Sequence, residues 1–369
     1  MKKGFLLLLI MGATTLCAGS AQASSFALGD LVVYRVGDGS AGLTSTSTAV
    51  FLDEFQPTGT GQSPVQSIAV PTSGSPLTAS GTATSEGQIA LSSDRSVIAF
   101  TGYQSAPGTA SIASSAVNRV IGTVNALGIV DTSRAGVMNS GNNIRSATST
   151  NGSDFWTAGA TGYYYYNATP VQLGTGNSRV ANVFNGQLYE SSSSTTFNGS
   201  GSPLGIWAVG SGTPTSGTPS VTNLINTGTG SSPYDYAISP DGATAYIADD
   251  RAISSGGGVQ KWTLSGSTWS LAYTLGTGTG STVGARGLAV DFSGASPVIF
   301  ATTAESAADR LITVTDTGAG STATTLATAP TNEIFRGVDF SPISVPEPSA
   351  ILLAGFGLLS LAAFARRRV

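Results

Sequence analysis

Tyr236-Ala237-Ile238-Ser239-Pro240-Asp241-Gly242-Ala243-Thr244-Ala245-Tyr246-Ile247 decides the fold. Two short apolar runs flank a Pro-Asp-Gly turn. Runs rich in aromatic and β-branched residues read as strands. Asp-Gly reads as a tight hairpin, because Gly accepts the positive φ that such turns require. The same unit recurs along the chain. Ile89-Ala90-Leu91 leads through Ser93-Asp94-Arg95 to Val97–Phe100. Ser146-Ala147-Thr148 leads through Asn151-Gly152 to Phe155-Trp156-Thr157. Val180–Val183 leads through Asn185-Gly186 to Leu188-Tyr189. Leu288-Ala289-Val290 leads through Ser293-Gly294 to Val298-Ile299-Phe300.

Two further strands follow several of these hairpins: Val259–Leu264 and Trp269–Tyr273 after one, Leu311–Val314 and Thr324–Leu326 after another. Four strands per repeat of 34 to 56 residues is the pattern of a β-propeller blade. A blade cannot cover both of its own faces, so blades stack and the ring closes. Phe335–Phe340 reads as a first strand with no partners after it. Leu31–Val36 and Ala49–Leu52 read as last strands with no first strand before them. Joining the two ends gives an all-β, six-bladed propeller over residues 24–344. No second strand is evident in the shared blade, which leaves seven blades as an alternative. The unequal repeat spacing leaves a β-sandwich or irregular solenoid open.

Composition limits the chemistry. The 369 residues include 48 glycines, one cysteine and no histidine. Ser-His-Asp and Cys-His catalysis and ordinary His/Cys zinc sites are therefore excluded. Setting aside Lys2, Lys3, Glu347 and Arg366–Arg368 leaves 11 basic and 19 acidic residues, a net charge of −8. Nucleic-acid binding needs clustered Lys and Arg, and Lys261 is the one lysine of the body.

Both ends read as addresses. Lys2-Lys3, the apolar run Phe5–Met11 and the small-x-small site Ala21-Gln22-Ala23 form a secretory signal peptide over residues 1–23. Cleavage after Ala23 removes Cys17, and Leu16 before it argues against lipid attachment. At the other end, Val345-Pro346-Glu347-Pro348 precedes an uncharged stretch of 17 residues, Ser349 to Ala365, and then Arg366-Arg367-Arg368. A stretch of that length is just long enough to span the bilayer as a helix. The arginines stay on the cytoplasmic side. The alternative is a plain anchor that is never cut.

This three-part tail resembles that of PEP-CTERM proteins, exported bacterial proteins with a Pro-Glu-Pro sorting signal. The resemblance covers residues 345–369 and implies a membrane protease of the exosortase type as partner. It implies membrane lipid as partner before processing, and release to the cell surface or extracellular matrix.

Candidate sites in the body are few. Arg145, Arg179 and Arg286 precede their hairpin glycine by seven or eight residues, and Arg336 holds an equivalent place. On inner strands of a propeller, four guanidinium groups would gather at one mouth of the channel. There they would hold an anionic ligand such as an acidic polysaccharide, or lock blade to blade. Asp241, Asp249 and Asp250 are the densest acidic group but lack a calcium-loop pattern. Asp53-Glu54 point to opposite faces of a strand, which is wrong for a glycosidase pair. Tyr163–Tyr166 offer sugar-stacking faces or ordinary packing.

The expectation is an exported, non-catalytic binding or structural propeller associated with exopolysaccharide in a biofilm, with no metal, cofactor or catalytic residue named. A hydrolase or lyase using channel carboxylates or a metal is the alternative.

Overall fold

In the computed structural model, which describes residues 24–197, 199 and 201–344, the hairpins form as their turn chemistry dictates. Asp241 Oδ1 accepts hydrogen bonds from Ser239 Oγ at 2.5 Å and Ala243 N at 3.0 Å, and Gly242 takes φ +71°. Asn185 and Gly186 both take positive φ (48° and 74°), as a primed hairpin turn requires.

The strands assemble into six four-stranded antiparallel sheets. Blade I comprises Ala90–Leu91, Val97–Tyr103, Arg119–Asn125 and Val130–Gly136. Blade II comprises Ile144–Ser149, Phe155–Gly159, Gly162–Asn167 and Thr169–Thr175. Blade III comprises Ala181–Phe184, Gln187–Ser192, Gly205–Val209 and Val221–Asn226. Blade IV comprises Pro233–Ile238, Thr244–Asp249, Gly258–Ser265 and Thr268–Leu275. Blade V comprises Ala285–Asp291, Val298–Thr303, Arg310–Thr315 and Thr324–Thr328. Blade VI is shared: Ile334–Phe340 pairs with Leu31–Val36, followed by Val50–Phe55 and Gln66–Ala69.

Blade VI corrects one expectation. Leu31–Val36 is the second strand and Val50–Phe55 the third. What escaped notice is the outermost strand, Gln66–Ala69, where Ile68 alone is buried. A short, half-solvated edge strand carries little apolar pattern. A small two-stranded pairing, Ser47–Thr48 with Ala79–Ser80, lies outside the blades.

Packing follows from strand alternation. The buried apolar side chains fall into six clusters, one for each seam between neighbouring blades. Leu31 and Val33 face the seam with blade V, while Val32, Tyr34 and Val36 face the seam with blade I. Strands buried on both faces read as continuous apolar runs. The tyrosine run is divided in the same way: Tyr163 and Tyr165 enter the blade II–III seam, Tyr164 and Tyr166 the blade I–II seam.

Buried carboxylates tie neighbouring blades together across seams. Asp235 accepts from Tyr236 N at 2.8 Å within blade IV and from Leu288 N of blade V at 3.1 Å. Asp339 of blade VI accepts from Leu91 N of blade I at 2.6 Å. Asp309 of blade V accepts from Phe335 N of blade VI at 3.1 Å. Burial pushes the Asp309 carboxyl up to about 8 and that of Asp339 to about 6. The same cause raises Asp235 and Glu190 well above the usual carboxylate range.

Residues 1–23, read as a signal peptide, with Cys17 and the Ala21/Ala23 site, lie outside the described residues. So do Val345–Pro348, residues 349–365 and Arg366–Arg368. No helix among the described residues is long and apolar enough to cross a membrane.

Two measurements check this account. Tyr34 is fully buried at the closing seam, edge-on to Phe100, with its hydroxyl donating to Thr101 O at 3.0 Å. Equilibrium urea unfolding should show Tyr34→Ala costing about 3–5 kcal/mol and Tyr34→Phe only about 1 kcal/mol. Titration of stability should show a second effect. Carboxyls raised in the folded state hold protons that the unfolded chain has released above about pH 4. Stability therefore falls as pH rises from about 4 towards 8. Asp309→Asn should flatten the upper part of that fall; an unaltered slope would contradict the buried-carboxyl account. The turn carboxylates whose pKa is lowered, such as Asp241, act only below this window.

Candidate functional site

Each inner strand begins on the same face of the ring, and a β-bulge sits near that start in most blades. In blades II, IV, V and VI the inner strand carries one extra residue against its partner. Blade III has the same device: Arg179 N donates to Ser191 O while Ser191 N donates to Val180 O, both at 2.9 Å. A bulge re-aims the side chain that it carries. The bulges hold Arg145, Arg179, Arg286 and Arg336, the four arginines singled out by spacing. Blade IV carries Tyr234 in that place, eight residues before Gly242. The spacing that identified the arginines identifies Tyr234 too, and the sequence reading passed over it.

The four arginines all reach into an adjoining blade. Arg145 donates to Asn177 Oδ1 and to Ser178 O (2.8 Å) on the approach to blade III. Arg336 donates to the carbonyls of Ala83, Ser80 (3.4 Å) and Gly81 (3.2 Å) on the approach to blade I. Arg179 and Arg286 converge on blade IV. Arg179 lies over the Tyr234 ring, 3.9 Å from its centroid, and Arg286 lies 5.8 Å from it. Asp250 joins the pair, 3.2 Å from Arg286 Nε and 4.0 Å from Arg179 Nη1. Blade I completes the set with Gly87. A Cβ there would come within 2.8 Å of the Tyr34 ring and 2.9 Å of Arg336 Cβ, so only glycine fits.

Four guanidinium groups and one tyrosine thus gather at this end of the ring, Arg145 and Arg336 buried and Arg179 and Arg286 half-buried. Asp250 is the carboxylate that ion-pairs with two of them. Burial, reinforced by the charge of Arg179, pushes Arg145 down to about 10, so it stays charged at neutral pH. Two carboxyls lie nearby. Burial raises Asp309 to about 8, and it raises Glu86 against the pull of its hydrogen bonds from Tyr103, Ser80 and Asn143. Several buried polar atoms here have no protein partner: Nε of Arg145, Arg179 and Arg336, and both amide atoms of Gln88. Gln88 and Asp309 carried no sequence signal, because their burial depends on the neighbouring blade.

Other candidates disperse. Asp249 is fully buried and bidentate with Arg251 at 2.8 Å, while Asp241 serves its turn at the other end of the strands. Asp53 pairs with Arg35 and Glu54 with Gln66 and Ala27 N, on opposite faces as expected. Among the described residues no group of three or more His, Cys, Asp or Glu is placed to hold a metal.

Comparison with known proteins adds two findings. The model of the PEP-CTERM protein-sorting motif matches residues 344–368. Solved propeller structures resemble the body. TolB from Acinetobacter baumannii is 11% identical, with a TM-score of 0.50 and coverage of 85% of this chain and 67% of that one. The periplasmic gluconolactonase of Pseudomonas aeruginosa is 12% identical, with a TM-score of 0.46 and coverage of 81% and 82%. A Bacteroides fragilis protein provisionally assigned as a 6-phosphogluconolactonase is 12% identical, with a TM-score of 0.47 and coverage of 81% of both chains. At such identities the likeness concerns the fold alone. No curated protein matches the chain. The chain carries a PEP-CTERM sorting motif behind a six-bladed β-propeller body, which marks it as an exported protein anchored in the membrane before processing.

Proposed function

We propose that this protein is a non-catalytic, surface-delivered propeller that binds an acidic polysaccharide at its arginine-ringed mouth. Residues 1–23 direct export and are removed after Ala23. Residues 349–365 hold the body at the membrane, with Arg366–Arg368 left inside. An exosortase-type protease acting at Pro346-Glu347-Pro348 then frees the 24–344 body for the cell surface or matrix. The observation that carries the binding reading is the recurrence of a bulge at Arg145, Arg179, Arg286 and Arg336. One sign of charge set by a repeated backbone device favours an anionic ligand. Planar guanidinium groups suit the carboxylates of a uronate polymer.

A second reading keeps one observation in its favour. Asp309, at about 8, is a carboxyl protonated near neutral pH beside the mouth, as a general acid requires. A reducing-end assay on uronate oligomers separates the two: steady release of ends would establish a hydrolase or lyase.

Calorimetric titration with a uronate polymer should show micromolar or weaker binding that falls steeply with salt. Arg286→Ala should weaken it about tenfold, the order expected for one charge-assisted hydrogen bond. Unchanged affinity in a folded variant would remove the mouth as the site. Cell fractionation tests the sorting step. Deleting Pro346–Pro348 should leave the chain in the membrane fraction, whereas the intact chain reaches the surface or medium.

A further inference from the structure

Six large apolar side chains are exposed among the described residues: Leu28, Val65, Leu127, Ile129, Val137 and Leu271. Four of them gather in one sector. Leu28 lies in the segment entering blade VI, Val65 just before its outer strand, and Leu127 and Ile129 in the last turn of blade I. Both described ends of the chain meet there. Ser24 Oγ donates to Gln66 Oε1 at 2.9 Å, beside Val65. Phe26 N donates to Ala126 O at 3.0 Å, beside Leu127. Ser341 Oγ donates to Ala27 O at 2.7 Å, and Ile343 N to Arg95 O at 2.8 Å. Ser344 then lines, with Phe26, Leu28, Ala126 and Ile343, an open depression of about 510 Å³. This sector lies at the far ends of the inner strands, away from the arginine-ringed mouth.

Four residues, Val345 to Pro348, separate Ser344 from the uncharged stretch that starts at Ser349. Fully extended, four residues reach about 14 Å. The headgroup layer is itself about 5–8 Å deep on each side of the hydrocarbon. A body tethered through so short a link cannot turn this sector away from the lipid. Exposed aliphatic side chains in a cluster signal an interaction surface, and Arg95 adds a cation that suits anionic headgroups. We infer that this sector is a lipid-facing surface: in the tethered state Leu28, Val65, Leu127 and Ile129 rest on the bilayer, and the arginine mouth points away from the membrane. The inference rests on the reading of residues 349–365 as a membrane span.

The test uses the full chain with Cys17→Ala, expressed in a host without the sorting protease. It is reconstituted into phosphatidylethanolamine–phosphatidylglycerol vesicles that carry a headgroup nitroxide. A fluorophore is attached through Leu28→Cys, Leu127→Cys or, on the opposite face, Ser306→Cys; all three positions are exposed. Quenching at 28 and 127 should exceed that at 306 at least threefold. Equal quenching at the three positions, in protein that floats with the vesicles, overturns the orientation while sparing the span. Failure to float removes the span and the orientation together. With the label at 28, Leu127→Ser together with Ile129→Ser should halve the quenching contrast with 306 or more while flotation persists; an unchanged contrast would show that the apolar side chains take no part.

Discussion

The structure depends on closing a ring between the two ends of the body. A four-stranded blade is apolar on both faces, so each blade is stable only between two others. Blade VI shows what this demands. Its inner strand comes from Ile334–Phe340 and the rest from Leu31–Ala69. Closing a loop of some 300 residues costs about 5 kcal/mol in chain entropy. Leu31, Val33, Phe335 and Val338 are buried at the closing blade. Each fully buried side chain of this size contributes roughly 1.5–3 kcal/mol, so these few offset the closure. The remaining seams then hold a ring with no free inner edge.

Closure also explains where the polar chemistry sits. Inner strands converge towards the axis, and their backbones must approach closely. Gly337 N donates to Gly87 O at 2.9 Å, and Gln88 N to Arg145 O at 3.0 Å. A regular strand would place the residue at the bulge into a crowded seam. The extra residue relieves this and turns a long side chain across to the next blade. Arginine suits the position because its fork bridges carbonyls that enter the neighbouring blade, as Arg336 does with Ser80, Gly81 and Ala83. The same fork keeps an Nε without a protein partner in three of the four. Locking blades and gathering guanidinium groups at one end of the inner strands are therefore two results of one geometry.

Much of this was legible in the sequence because hairpin chemistry is local. Asn-Gly and Asp-Gly turns and apolar pairs located five inner strands and their partners. Arginine spacing located four of the five bulge residues. Each failure has a physical origin. Gln66–Ala69 is a half-solvated edge, so its pattern is weak. Tyr234 broke the arginine pattern by residue type while keeping its place. Asp250, Gln88 and Asp309 acquire their roles only from the neighbouring blade, and contacts across a seam leave no trace in local spacing.

Charge distribution ties the body to its mouth. The body as a whole is acidic, at −8 by sequence, and should repel a polyanion at a distance. Yet burial acts on the carboxyls of the interior. Burial favours the neutral acid, and it lifts Glu86, Asp235, Asp309 and Glu190 above the usual range. Burial lowers Arg336 too, and Arg145 to about 10, but a guanidinium is so basic that Arg145 remains protonated at neutral pH. Burial thus biases the buried carboxyls towards the neutral form, while the far more basic guanidinium groups keep their protons. A change that let water into those seams would relax the bias on the carboxyls and add negative charge beside the arginines without touching one.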